Sequence, residues 1–239
     1  MMAGRSRSRF IGYYFFRNKI SRPAPAIFLQ MTKNGLVSAA VLISFIFLPM
    51  HHLLLACGRL TTLTEAARED LKTCWTLKSF QKQDTLTVQD QVCRKLFFLE
   101  TGLVKLYSLR SEQQFIMRFA PEHSFITVID SFCTGKPSKY QLLALEPTTA
   151  WIMDREDVTR LCRQHHCLEH LFSNLFAAAA TAMMDRINDM LEDDTTTRYH
   201  QFVAAHPSLL QRVKLGELAA YLGVTQTTLS RIRAAQHPR

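Results

Sequence analysis

Gln226, Thr227, Ser230 and Arg231 fall within six residues of one another near the end of this 239-residue chain, in the string LGELAAYLGVTQTTLSRIR at 215–233. Their side chains carry the hydrogen-bonding groups that address the edges of bases. An arginine can bond bidentately to guanine O6 and N7, a glutamine suits adenine or a phosphate, and threonine and serine hydroxyls make adaptable contacts. Arg233, Lys214, Arg212 and Arg198 are of the type that meets phosphates, contacts that position a protein on a duplex without specifying sequence.

Such side chains read bases only if something rigid aims them. Leu215, Leu218, Ala219 and Leu222 recur at i, i+3, i+4 and i+7, which makes one face of a first helix apolar, and Ala219 is small where a second helix must cross closely. Gly223 allows a left-handed turn residue, Val224 fills the gap between the helices, and Thr225 is the expected cap of a second helix whose Leu229 and Ile232 point inward. Gln226, Thr227, Ser230 and Arg231 are then left on the outer surface, where a helix-turn-helix meets the major groove. A plain helical hairpin shares the apolar spacing, but this one is net basic and exposes no hydrophobic stripe.

Other chemistries find little support. The six cysteines, Cys57, Cys74, Cys93, Cys133, Cys162 and Cys167, include no CxxC pair. His165, His166 and Cys167 are adjacent rather than spaced for one helix face. No G-x-S-x-G, H-E-x-x-H or P-loop occurs, so no catalytic residue, cofactor or metal is expected.

Upstream of the hairpin, TRYHQFVAAHP reads as a helix presenting Tyr199, Phe202 and Val203 inward and ending before Pro207, followed by QRVKL as a short extended link. Before that, thirty residues from His165 to Asp194 lack glycine and proline. Leu168, Leu171, Leu175, Ala178 and Ala182 recur at alternating three and four, and Met183, Ile187 and Met190 carry the stripe onward. This spacing predicts one long helix with one face against the body of the chain and one against a second subunit. Short branched and aromatic runs separated by polar or Gly/Pro turns fill residues 85–153, the pattern of an antiparallel barrel or jelly roll, with Gly102 at a turn needing positive φ. A cupin-type metal site in that roll is not expected, since the roll offers only His123. LTEAAREDLKTCWTLKSF, at 63–80, reads as an amphipathic helix capped by Thr64, with Leu63, Ala67 and Leu71 on one face.

The net charge of +9 is terminal: residues 1–49 hold seven bases and no acid, residues 198–239 are +5, and the middle is −3. The basic leader runs into an apolar stretch whose uninterrupted part, Leu36 to Leu48, is shorter than the roughly 20 residues that span a bilayer. Its LLAC at 54–57 is similar to a lipoprotein cleavage box, which would make the chain an exported or membrane-attached binding protein. Translation beginning at Met50 or Met31 is the preferred reading, since it fits a cytoplasmic protein, and the exported or membrane-attached protein is the alternative.

FLETGLVKLY, SFCTGKPSKYQLLALE, RYHQFVAAHPSLLQRV and above all LAAYLGVTQTTLSRIR resemble the Crp/Fnr family of bacterial transcription regulators, from about Leu53 to Arg233. The resemblance implies an α+β fold: an antiparallel, jelly-roll-like β-roll sensor domain at 50–163, a dimerisation helix at 164–194 and a winged-helix-like helix-turn-helix domain at 195–239, after a leader at 1–49. It implies a homodimer, double-stranded DNA as partner with RNA polymerase beside it, and a DNA-binding set of Gln226, Thr227, Ser230, Arg231, Arg233, Lys214 and Arg212. The departures carry expectations too. Where cyclic-AMP-binding members have an arginine for the phosphate, Leu143 precedes Ala144, so cyclic nucleotide is not the expected effector. Cys57, Cys74 and Cys93 lack the clustering of the iron–sulfur branch. Many members have a glutamate where Thr227 stands, so the operator should differ at that base pair. Only six residues follow Arg233, so any wing is expected before residue 215.

Overall fold

The computed structural model describes residues 39–235 apart from Glu112, with side chains from Met50 onward. Expectations about residues 1–38 lie outside the described residues.

Among the described residues, eight strands form two antiparallel sheets: β1 Thr76–Phe80, β2 Thr85–Thr87, β3 Lys95–Thr101, β4 Val104–Arg110, β5 Gln113–Ala120, β6 Phe125–Ile126, β7 Tyr140–Ala144 and β8 Thr148–Asp154. One sheet runs β1-β8-β3-β6 and the other β2-β7-β4-β5. The helices are α1 Ala39–Leu60, α2 Glu65–Thr73, α3 Ile129–Thr134, α4 Arg155–Gln164, α5 His166–Glu192, α6 Thr195–Ala205, α7 Leu215–Leu222 and α8 Gln226–Ala235, with a 3-10 turn at Pro207–Gln211.

The strand alternation explains how these pieces stack. In β3, LFFL is apolar without a break because both its faces are covered. Leu96 and Phe98 meet α1, α2, α4 and α5, while Phe97 and Leu99 point between the two sheets. In β4, Val104 and Leu106 face the same interior, and Leu103 before the strand and Tyr107 within it face outward to the C-terminal helices. The order of layers is therefore helices, first sheet, second sheet, C-terminal helices. Three apolar clusters fill the gaps between them. Gly102 turns β3 into β4 at φ +92°, and a Cβ there would stand 2.7 Å from the Thr148 Cα, so no other residue fits without moving backbone.

Several local expectations match the structure. Thr64 caps α2, its side chain accepting from the Ala67 N–H at 3.2 Å. A cap not singled out in the sequence, Asp194, serves α6 in the same way, accepting from the Thr197 N–H at 2.7 Å. The long helix is the 27-residue α5. Two expectations are corrected. The helix expected over 63–80 ends at Thr73, and Thr76–Phe80 is strand β1, hydrogen-bonded along β8 from Thr76 opposite Ile152 to Phe80 opposite Thr148. An available sheet edge outweighs a helical pattern in so short a segment. QRVKL is not extended either: Pro207 opens a 3-10 turn that reaches Gln211, because its fixed φ suits a first helical position.

The boundary drawn at residue 49 falls inside a helix, since α1 runs through Pro49. Met50, Leu53 and Cys57 lie on one face of α1 and pack with Leu71, Leu168 and Phe172. Burial is complete at Cys57 and pushes its thiol pKa up to about 12. No helix among the described residues is long and apolar enough to cross a membrane.

Candidate nucleic-acid interface

The terminal hairpin is built as its spacing predicts. Leu218, Ala219 and Leu222 of α7 are buried, with Leu215 packed beside them. Gly223 takes the left-handed conformation at φ +72°, and its N–H bonds back to the Ala219 carbonyl. Thr225 caps α8 through its hydroxyl, which accepts from the Thr228 N–H at 3.2 Å. Leu229 is fully buried and Ile232 partly so, which pins α8 against α7.

That pinning decides where the polar side chains stand. Gln226, Thr227, Ser230, Arg231 and Arg233 are all exposed along α8, and Lys214 is exposed just before α7. The other two cations of the expected set are engaged elsewhere. Arg212 is a strap: it donates to Glu146 Oε1 at 2.6 Å and Glu122 Oε2 at 3.0 Å, both carboxylates belonging to loops of the roll. Arg198 turns inward and donates to the backbone carbonyls of Asp193 and, at 3.1 Å, Leu222. Residue type suggested a phosphate contact for both. Their partners lie far away in sequence or on backbone, where no spacing rule reaches them.

The C-terminal helices sit on the outer face of the second sheet. Phe119, Tyr107, Leu103 and Ile116 pack with Tyr199, Phe202, Leu209, Leu218 and Leu222. At the centre of this contact Lys105, 3% exposed, donates to both oxygens of Glu217, at 3.0 and 2.9 Å, and to Gln114 Oε1 at 2.7 Å. Its ammonium also lies 4.3 Å from the Tyr107 ring centre. From the other side Arg186 of α5 stacks on Tyr221, 3.9 Å from its ring centre, and donates to the Tyr221 carbonyl. Burial lowers the Arg118 guanidinium to about 10, and Tyr221 works against that shift; Arg118 remains a cation at neutral pH.

His206, at the end of α6, responds to the same burial. Desolvation first and the Arg118 charge second hold its pKa below the ordinary imidazole value. Released from this interface, His206 takes up a proton below about pH 6.5; held in it, the ring stays neutral to lower pH. The interface is therefore untaxed by His206 above about pH 7, and it weakens as pH falls through 6.5. Urea unfolding at pH 7.5 and 5.5 should show the lower midpoint at 5.5, with the difference reduced in His206→Gln. An equal difference in that variant would assign the pH dependence to other groups.

The α5 helix leaves an apolar seam in solvent. Leu168, Leu171 and Phe172 are buried against the roll and α1, but Met184, Ile187 and Leu191 are 65%, 49% and 79% exposed. Ile187 belongs to the expected stripe, whereas Met184 and Leu191 were not singled out. Ala177, Ala180 and Ala182, also exposed, precede them on the same helix.

Residues 77–165 match the family of cyclic nucleotide-binding domains. No curated protein matches the chain in sequence. Among solved structures, FixK2 from Bradyrhizobium japonicum is similar over 68% of this chain and 84% of its own, at 16% identity and a TM-score of 0.59. A protein of the Crp/Fnr family from Eubacterium rectale is similar over 73% and 84%, at 15% identity and a TM-score of 0.60. The c-di-GMP-responsive regulator CLP of Xanthomonas campestris is similar over 74% and 96%, at 12% identity and a TM-score of 0.58.

Proposed function

Taking the Crp/Fnr regulator fold of this chain as premise, we propose that it is a sequence-specific DNA-binding transcription regulator that works as a homodimer in the cytoplasm, not an enzyme. The observation that carries this reading is the contrast along α8: Leu229 and Ile232 anchor the helix while Gln226, Thr227, Ser230 and Arg231 are presented to solvent. Arg231 is the reader of guanine, Gln226 meets adenine or a phosphate, and Thr227 and Ser230 adapt to their base pairs. Arg233 and Lys214 meet phosphates, and Arg212 joins them only when it leaves Glu122 and Glu146. Paired α5 helices would hold two such readers roughly 34 Å apart, one turn of duplex.

The effector is not a cyclic nucleotide in this reading. Val104, Leu106, Met117, Leu142 and Ala144 line the interior of the second sheet, and all are apolar. Leu143, at the position where an arginine was sought, packs on the outer face with the C-terminal helices instead. A cyclic phosphate buried among the interior residues would lack a cation. The exported alternative needs Cys57 at the processed front of the chain, and the depth of that side chain in the helical layer weighs against it.

Mapping of bound DNA across the genome of the source organism, followed by gel-shift titration of the recovered site, tests the proposal. Arg231→Ala should weaken binding to that site by about 1–3 kcal/mol and relax the choice at one base pair. Failure of the wild-type chain to select any fragment at low ionic strength would overturn the reading. An unchanged preference in Arg231→Ala would remove Arg231 from the reading set.

A further inference from the structure

We infer that His52, Glu100 and His123 form a binding site for a divalent transition metal of the zinc class, a site independent of whether the chain reads DNA. The three residues come from separate elements: His52 from α1, Glu100 from the outer face of β3, and His123 from the turn between β5 and β6. One ligand atom from each lies within 4.8 Å of the others. Two imidazoles and a carboxylate are a ligand set that suits zinc and its neighbours and leaves a fourth position open.

Three features distinguish this cluster from a chance surface grouping. First, His52 Nδ1 stands 2.6 Å from Glu100 Oε1, but Glu100 Oε2 is buried with no hydrogen-bond partner among the described residues. A buried carboxylate oxygen without a donor is costly, and a cation removes that cost. Second, the two histidine rings are stacked at 4.0 Å between centres. Each ring brings one nitrogen to within 4.8 Å of a Glu100 carboxylate oxygen. Third, the turn is held in place. His123 adopts φ +59°, and its N–H donates to the Leu99 carbonyl at 2.6 Å, while Leu99 N–H donates to the Ser124 carbonyl at 3.0 Å. The backbone thus presents His123 beside Glu100.

Ligand atoms bound to zinc at about 2.0–2.1 Å stand roughly 3.3 Å apart, so the present cluster closes by at most about 1.5 Å, within reach of side-chain rotation. The turn that carries His123 also carries Glu122, one of the two carboxylates gripping Arg212 of the C-terminal domain. The site thus has a short physical route, through Glu122 and Arg212, to the C-terminal helices.

Titration of chelator-treated full-length protein with Co²⁺, read by its visible d–d absorption and then by displacement with Zn²⁺, tests the site. One equivalent of Co²⁺ should bind with four- or five-coordinate bands. Affinity should fall by at least about 10–100-fold in Glu100→Gln and in His123→Asn. Asparagine tolerates the positive φ at 123, and glutamine is isosteric at 100, so both variants should keep the wild-type circular dichroism. Absence of a stoichiometric Co²⁺ complex in the wild type would overturn the inference. So would a complex of undiminished affinity in both folded variants, which would place the metal on other histidines or cysteines.

Discussion

Replacing Glu217 by alanine should cost the contact between the C-terminal helices and the roll about 3–5 kcal/mol, the penalty typical of breaking a buried ion pair from one side. The reason is Lys105. Its ammonium is nearly inaccessible, and among the described residues Glu217 supplies its only carboxylate; Gln114 and the Tyr107 ring remain, but neither carries a charge. Water must then enter the interface, or the domain must lift from the second sheet. Urea unfolding followed by tryptophan fluorescence, together with hydrogen exchange of the β4 and β5 amides, should show the loss as earlier unfolding and faster exchange. The double substitution Lys105→Met with Glu217→Leu should return most of it, because two apolar groups need no partner. A wild-type midpoint in Glu217→Ala would mean that the apolar contacts of Phe119, Phe202 and Tyr221 hold the domain alone. Under the proposed function the same variant also frees the reader from its seat, so its operator affinity reports whether the seated arrangement favours or opposes DNA.

Aspartates at Ile187 and Leu191 should convert a dimer into a monomer and reduce affinity for a two-fold operator by about 10²–10⁴-fold, the gain that linking two half-site readers supplies. Met184, Ile187 and Leu191 follow one another at three and four residues, the spacing of a coiled-coil seam, and they stand in solvent in a single chain. The exposed alanines earlier in α5 would let two such helices approach closely. Two aspartates per helix, facing their copies across the seam, would bury like charges that have no partner. Sedimentation velocity should give a single dimeric species for the wild type and a monomer for the variant, while binding of one half-site should change little. A dimeric variant would place the partner surface elsewhere on the chain.

Much of the molecule follows from local chemistry and was legible residue by residue. The branched and aromatic runs of the strands, the glycine at 102, the caps at Thr64 and Thr225, and the left-handed Gly223 each depend on neighbours within a few positions. A linear string carries such information in full. The exposed set on α8 was legible for the same reason: once Leu229 and Ile232 point inward, helical geometry leaves Gln226, Thr227, Ser230 and Arg231 outside.

What tertiary structure alone decided are the pairings between charges and polar groups remote in the chain. Thr76–Phe80 became strand because β8 offered it a ladder, not because its own pattern demanded one. Arg212 and Arg198 had the right chemistry for phosphates, yet one bridges to Glu122 and Glu146 and the other caps Leu222. Lys105 meets Glu217 across 112 residues of chain. His52 was not singled out and His123 was read as a lone histidine of the roll, until α1 lay across β3 and set both beside Glu100. Hydrophobic period encodes which face of an element is buried but not which element covers it, and charge has no period at all. The exposed polar face of α8 was therefore visible in the sequence, whereas the strap, the buried ion pair and the histidine cluster exist only where the layers meet.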